Sequence, residues 1–286
     1  MLSKIYNMSI NSPCLPPIVT KLLEYTKYVY DSRKKLIARN KALRNTYKQN
    51  RCFILATGPS IKLQNLKMLR DEYTIAVNNF FLHQDFKFIA PKFYCMTPYH
   101  PHVGEQIWQQ WIDEFDQNIS SMGTTLFFNA EDKERLFQKN RFINKDAFFV
   151  SFTDRGGYNK EYDLSKPMIP VASVSIMALY IALHLGFKEI YLLGCDHDWL
   201  SHLGTTKHFY SESESVLSQR GYSEWSLSSD IGIEFASLAA LWDQYRQIRT
   251  YSTNHGIQIY YSTPNGILDL FPPRMLDDIF PNHLEN

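Results

Sequence analysis

Polar side chains collect in this sequence at the points where short apolar runs stop. The run CFILA stops on Thr57, Gly58, Pro59 and Ser60, and YTIAV stops on Asn78 and Asn79. FYCM stops on Thr97, Pro98, Tyr99 and His100. A strongly apolar helix pattern opens on Ser173 and Ser175. The run EIYLLG leads into Cys195, Asp196, His197, Asp198 and Trp199, and the last run ends on Thr263, Pro264, Asn265 and Gly266. Hydroxyls, amides and backbone N–H groups are donors suited to an anion. Gly58 would let the backbone approach a ligand, and Ser60 could cap a following helix. A plain strand-to-helix corner would look the same. The turn is neither G-x-G-x-x-G nor G-x-x-x-x-G-K-[ST], and no lysine follows it as a Walker-type kinase requires.

The stretch GCDHDWLSHLGTTKHFY holds Asp196, His197, Asp198, His202 and His208. Imidazole and carboxylate can ligate divalent ions, but H-x4-H-x5-H on a loop matches no established metal pattern, so no metal is expected. A histidine here suits a general base, because it titrates near neutral pH and can take a proton from an acceptor hydroxyl. Solvated loop polarity is the plainer reading of any one of these side chains. His184, inside the apolar helix, reads as a satisfied core or surface histidine. Arg155 and Lys160 sit in a polar, glycine-bearing loop and could meet an anionic substrate or only solvent.

These residues need a frame. From residue 51 the pattern alternates strands and helices, with helices expected over LQNLKMLRDE, GEQIWQQWIDEFDQNISSM, AEDKERLFQK, SVSIMALYIALHLG and DIGIEFASLAALWDQYRQIRTYSTNHG. That alternation predicts an α/β fold, a Rossmann-like doubly wound and mainly parallel sheet. In such sheets ligands bind beyond the carboxyl ends of the strands, where the polar residues above fall. Residues 200–229 are polar and aperiodic, and follow a strand end directly; they are expected to act as a lid. Residues 51–286 thus form the predicted catalytic domain.

Residues 1–50 differ. Val19, Leu22, Leu23, Val29 and Tyr30 keep helical spacing, and Arg33, Lys34, Lys35, Arg39, Lys41, Arg44 and Lys48 follow. This predicts an amphipathic extension with a basic half. It is either a packing or oligomerisation helix with a solvated face, or a peripheral attachment to an anionic inner-membrane surface. Attachment predicts salt-sensitive binding to anionic vesicles; equal affinity for neutral vesicles would contradict it.

The bulk numbers narrow the class. The chain has 286 residues, a net charge of +1 and 44% hydrophobic residues. A sizeable core is available, and no global basic field points to nucleic acid. Four cysteines without a C-x-x-C pair suggest reduced thiols. With no apolar run of about 18 residues and no signal-peptide pattern, a cytoplasmic location is expected.

The ordered set ATGPS, AVNNFF, YCMTP, SVSIMALYIALHLGFKEIYLLGCDHDW and YYSTPNGILDLFPP resembles bacterial sialyltransferases that use CMP-sialic acid. It also resembles a broader Rossmann-like group of flagellin-modifying transferases and archaeal pterin diphosphokinase-like proteins. The resemblance runs over about residues 51–275. It implies a glycosyltransferase of surface-glycan synthesis that moves a nonulosonic acid from a CMP donor to a glycan acceptor with inversion. No cofactor is then required. A diphosphokinase, the alternative within the group, would use magnesium on Asp196 and Asp198. The resemblance places Gly58, Pro59, Ser60 and Asn78 around the CMP part of the donor and Asn265 and Gly266 in the nucleotide pocket, and Thr57, Thr97 and Tyr99 join them as donor-site candidates from their places at strand ends. Ser173 and Ser175 would lie near the donor phosphate or carboxylate. Asp198, Trp199 and Tyr210 stand about where phosphate-binding hydroxyls occur, and His208 and Asp196 are assigned to catalysis. The sequence departs from the sialyltransferases at Ala56-Thr57, where they carry Gly-Asn, and at Thr97-Pro98-Tyr99, where they carry Asn-Pro-Ser. Before the long helix, where their catalytic histidine lies, it reads WSLSSDIG.

Overall fold

The computed structural model describes residues 33–153, 161–198, 208–210 and 231–281, together with residues 19 and 200. Seven short strands make one sheet: β1 (Arg51–Leu55), β2 (Tyr73–Val77), β3 (Phe93–Cys95), β4 (Thr125–Asn129), β5 (Ala147–Val150), β6 (Glu189–Leu193) and β7 (Gln258–Tyr261). Their order is β5-β4-β3-β2-β1-β6-β7. Every pairing is parallel. The sequence expectation of a Rossmann-like α/β sheet therefore holds.

The strands are apolar on both sides because both faces are covered. Phe53, Leu55, Ala76 and Tyr94 turn toward α2 (Glu105–Ile119), which supplies Trp108, Trp111, Ile112 and Phe115. Cys52, Ile54, Ile75 and Val77 turn toward α3 (Val174–Leu185) and α4 (Ile231–Asn254). All of α3 from Ser175 onward is buried, as a helix apolar on every side must be. It ends at Gly186, whose φ of 91° closes the helix in the left-handed conformation expected of a C′ glycine.

Helices are fewer than the periodicity predicts. LQNLKMLRDE is not an α-helix. Two 3-10 turns, Pro59–Leu63 and Leu66–Leu69, occupy that connection. The Asn65 side chain accepts the Lys67 N–H at 3.3 Å and starts the second turn, so local capping splits the run. AEDKERLFQK shortens to the turn Ala130–Asp132 and one helical turn, Lys133–Leu136.

The described part of the N-terminal extension is built into the domain. Helix α1 (Arg33–Ala38) buries Ile37. Asn40 is wholly buried, and its side-chain amide donates to the carbonyls of Phe149 and Leu164, both at 2.7 Å. The Asn45 and Tyr47 N–H groups donate to the His184 and Leu185 carbonyls at 2.9 Å, so this segment satisfies the last carbonyls of α3. Its cations are partly engaged within the fold. Arg33 pairs with Glu131, Arg44 with Asp163, and Arg39 lies over the Phe148 ring. His184 has the core reading: its ring bridges the Leu164 N–H and the Asn40 carbonyl. No described helix is long and apolar enough to cross a membrane. The apolar part of the extension before residue 33 lies, except for Val19, outside the described residues.

Candidate functional site

The sheet reverses its order between β1 and β6. From β1 the chain lays strands outward to β5, then returns to place β6 on the other side of β1. The crevice of an open α/β sheet opens beyond the carboxyl ends at that point.

At the β1 end, Ala56 N–H donates to the Leu193 carbonyl and Gly58 N–H to the Gly194 carbonyl, each at 2.9 Å. The two strand tips are thus locked together. Gly58 has an ordinary extended backbone, φ −65°. What it supplies is space: a β-carbon there would lie 1.8 Å from Asp196 Oδ2 and 2.5 Å from the Gly194 carbonyl oxygen. The Asp196 carboxylate fills that space. It accepts the Ser60 N–H at 3.1 Å and the Ser60 hydroxyl at 2.8 Å. An internal carboxylate therefore takes the donors that a phosphate-cradling turn would offer. Ser60 does not cap a helix; it lies inside the 3-10 turn Pro59–Leu63, with Gly58 at the N-cap. Burial pushes the Asp196 pKa up and the Asp198 charge adds to that, while the Ser60 bonds oppose it.

His208 meets this turn from the far side of the sequence. Its Nδ1 is 3.1 Å from Thr57 Oγ1, and the next residue, Phe209, donates its N–H to the Thr57 carbonyl at 2.9 Å. The Phe209 ring packs edge-on against Phe80 and His83. The imidazole of His208 stacks on Tyr210, with centroids 4.9 Å apart. Tyr210 itself belongs to the buried apolar layer on the α2 side. His208 is half-buried, which keeps it reachable by a reactant.

Asn78 closes the β2 end in the left-handed conformation, φ 45°. Its Oδ1 accepts the Thr97 N–H at 2.8 Å, tying β2 to the end of β3 and leaving the amide N–H pair as the part able to donate to a ligand. Tyr99 is drawn toward β4 instead. Its N–H donates to Asp132 at 2.8 Å, the Arg135 guanidinium lies 4.5 Å over its ring, and Trp108 meets it edge-on.

Ser173 caps α3, accepting the Ser175 N–H at 3.3 Å. Ser175 is buried, with its hydroxyl between Ser173 and Tyr245. At the β7 end Asn265 is exposed. Gly266 packs against Tyr261, where a β-carbon would fall 1.5 Å from the phenol oxygen. The Ile267 N–H donates to the Asp196 carbonyl at 3.3 Å, joining the β7 and β6 ends.

Thr57, Gly58, Pro59, Ser60, Asn78, Thr97, Asp196 and His208 thus come together at the ends of β1, β2, β3 and β6. Ser173 and Ser175 stand at the start of α3, and Asp198 is half-buried beyond β6. Trp199, His202, Arg155, Lys160 and most of the expected lid lie outside the described residues. Sequence reasoning missed Tyr245 and gave His197 no separate role. The His197 Nε2 lies 2.7 Å from the Tyr245 hydroxyl. The available signal was a phenol at the centre of the buried stripe Leu241, Tyr245, Ile248, where an aliphatic residue would pack as well. Among the described residues no three His, Cys, Asp or Glu side chains converge into a metal-holding group. Both Asp196 oxygens are already bonded to Ser60, which fits poorly with a role as a magnesium ligand.

A family model described as 6-hydroxymethylpterin diphosphokinase MptE-like matches residues 29–202, more than half of the chain. No curated protein matches. Among solved structures, the sialyltransferase CstII from Campylobacter jejuni, in complex with a substrate analogue, CMP-3FNeuAc, is similar. The identity is 16% and the TM-score 0.40, over 78% of this chain and 84% of that chain.

Proposed function

The chain belongs to the 6-hydroxymethylpterin diphosphokinase MptE-like family, and from that premise we propose that it is a transferase taking a nucleotide-activated donor at the carboxyl edge of the sheet. The reading goes further: the donor is a CMP-activated sugar, a sialic acid or related nonulosonic acid, and the acceptor a glycan hydroxyl. One observation carries it. The strand-end turns 56–60, 78–79, 96–99, 194–198 and 262–266 contain two aspartates and no lysine or arginine. A triphosphate would meet carboxylates there with no side-chain cation to offset them, and Asp196, whose oxygens already accept from Ser60, is poorly placed to hold a compensating magnesium ion. A CMP-activated nonulosonic acid, with one phosphodiester and one carboxylate charge, carries less charge than a triphosphate and suits hydroxyl and amide donors better.

The chemistry would be a single inverting displacement. As the acceptor oxygen bonds to the anomeric carbon, the bond from that carbon to the phosphate oxygen breaks, and its electron pair leaves with CMP. The acceptor proton passes to His208. Where Nδ1–H donates to Thr57 Oγ1, 3.1 Å away, Nε2 is the basic nitrogen of that ring. Ser173 and the first N–H groups of α3 would stabilise the charge growing on the departing phosphate. Asp196 would act through the turn, holding Ser60 and the β1 end in place.

The family description favours a diphosphokinase as the second reading, and one experiment separates the two. CMP, CMP-sialate, UDP- and GDP-sugars, and ATP with magnesium are titrated against the protein. The expected result is thermal stabilisation by the cytidine ligands and none by ATP. Stabilisation by ATP with magnesium alone, abolished by chelator, would replace the sugar-transfer reading with the diphosphokinase one.

A further inference from the structure

Four side chains from three elements form a line from the end of β6 to the mouth of α3. His197 Nε2 is 2.7 Å from the Tyr245 hydroxyl. That hydroxyl is 2.9 Å from Ser175 Oγ, which is 2.9 Å from Ser173 Oγ. His197, Tyr245 and Ser175 are 8%, 0% and 2% exposed, so water does not compete for these bonds. Ser173 is only partly buried and ends the line at the surface. The backbone at His197 is left-handed, with φ 56°. That conformation costs a residue with a β-carbon about 1 kcal/mol or more, yet here it carries the ring.

A hydroxyl has one hydrogen to donate, so when Tyr245 gives its hydrogen to a member of the line and not to the Cys195 thiol, the line donates in one direction along its whole length. Suppose His197 Nε2 carries the proton. Then imidazole donates to Tyr245, Tyr245 to Ser175, and Ser175 to Ser173. Ser173 Oγ already accepts the Ser175 backbone N–H, so its own hydrogen points out of the line. If Nε2 is bare, the line reverses and Ser173 gives its hydrogen to Ser175. Only the first direction offers an anion a donor. The Trp242 and Tyr245 rings flank the imidazole, and the third partner of the Tyr245 hydroxyl is the Cys195 thiol. Burial lowers the His197 pKa to about 4, so protonation of both nitrogens is not the resting state near neutral pH.

We infer that His197 is a positioning residue: its neutral ring, protonated on Nε2, sets the direction of this line so that Ser173 presents its hydroxyl hydrogen to the phosphate of the bound donor. The inference rests on the reading that this edge binds a phosphate-bearing nucleotide. The Tyr245 phenol is the link that a single-atom change can cut.

Tyr245→Phe removes that atom and keeps the ring. CMP and cytidine are titrated by calorimetry against wild type and variant, and the His197 tautomer is read from imidazole nitrogen shifts in histidine-labelled protein. The expected result is an Nε2–H tautomer in wild type and CMP binding about tenfold weaker in the variant, the order of one hydrogen bond to a charged group. Cytidine, which lacks the phosphate, should bind within twofold of wild type. Equal losses for CMP and cytidine would mean a packing defect and overturn the inference, as would an unchanged CMP affinity or a bare Nε2. If Tyr245→Phe does not fold, Ser173→Ala at the surface end tests the same CMP-against-cytidine split. If wild type binds neither CMP nor cytidine, the donor reading falls separately. Inorganic phosphate then replaces CMP, and the tautomer still decides the direction of the line.

Discussion

Gly58→Ala is expected to cost about 3 kcal/mol of stability and to abolish the nucleotide binding proposed above. The added methyl group has nowhere to go. It would meet Asp196 Oδ2 at 1.8 Å and the Gly194 carbonyl at 2.5 Å. The carboxylate could swing away, but only by releasing the Ser60 N–H and hydroxyl, both of which it accepts in a buried setting. The carbonyl cannot swing, because it is main chain and accepts the Gly58 N–H. Gly194 is itself pressed against β1 and has φ 65°, so the β6 tip has little freedom to retreat. On a chain of this size such a loss lowers the melting temperature by roughly 6–12 °C. Gly123→Ala is the control. A β-carbon there meets nothing within 4 Å, so stability should hold or rise slightly. Adding Asp196→Ala to Gly58→Ala removes one of the two obstacles, and the double-mutant cycle should show the pair coupled. A Gly58→Ala protein within 1 kcal/mol of wild type would show that the strand tips do not approach this closely.

The same contact shows where the sequence was readable and where it was not. The strands were legible because a buried parallel strand must be a short apolar run, and β1, β2 and β6 are such runs. Helix α3 was legible from its apolar surface and from Gly186. The turn after β1 was legible as a strand end but not as a turn already filled by a carboxylate. Ser60 meets Asp196 across 136 residues, and no local pattern encodes that partner. The missing helix after β1 has a related cause: Asn65 capping begins a new turn within the expected helical run. The basic extension read as a separate piece because its charges dominate the composition. Asn40, the residue that buries itself among β5 and α3, is one polar letter among lysines and arginines. Tyr245 escaped for the opposite reason: a phenol in an apolar stripe looks like core until its hydroxyl is found beside an imidazole.

Acidification is expected to destabilise the protein well before its carboxylates titrate. His83, His184 and His197 are buried, and in each burial lowers the pKa below the ordinary histidine value. For His184 the Asn40 carbonyl and Asp163 oppose the shift, and for His83 Asp85 does. For His197 burial takes the value to about 4. An unfolded chain would protonate all three near pH 6.5. Below that pH the unfolded state therefore binds more protons than the folded one, and the folded state loses ground. The contribution of His197 is fully present above pH 6.5 and is lost as the pH falls toward 4. At about 1.4 kcal/mol per pH unit it amounts to about 3 kcal/mol. Asp196, Asp132 and Glu114 carry the opposite sign. Burial raises their pKa values, so the folded state takes up their protons first, which offsets part of the loss at the acid end. Urea midpoints should hold from pH 8 to 7 and fall steadily from 6.5 to 5. His197→Asn keeps a residue that tolerates the left-handed backbone while removing the titrating ring. It should start less stable at pH 8 and show a shallower fall below 6.5. A wild-type midpoint flat down to pH 5, or an equally steep fall in His197→Asn, would place the acid sensitivity elsewhere than in this buried ring.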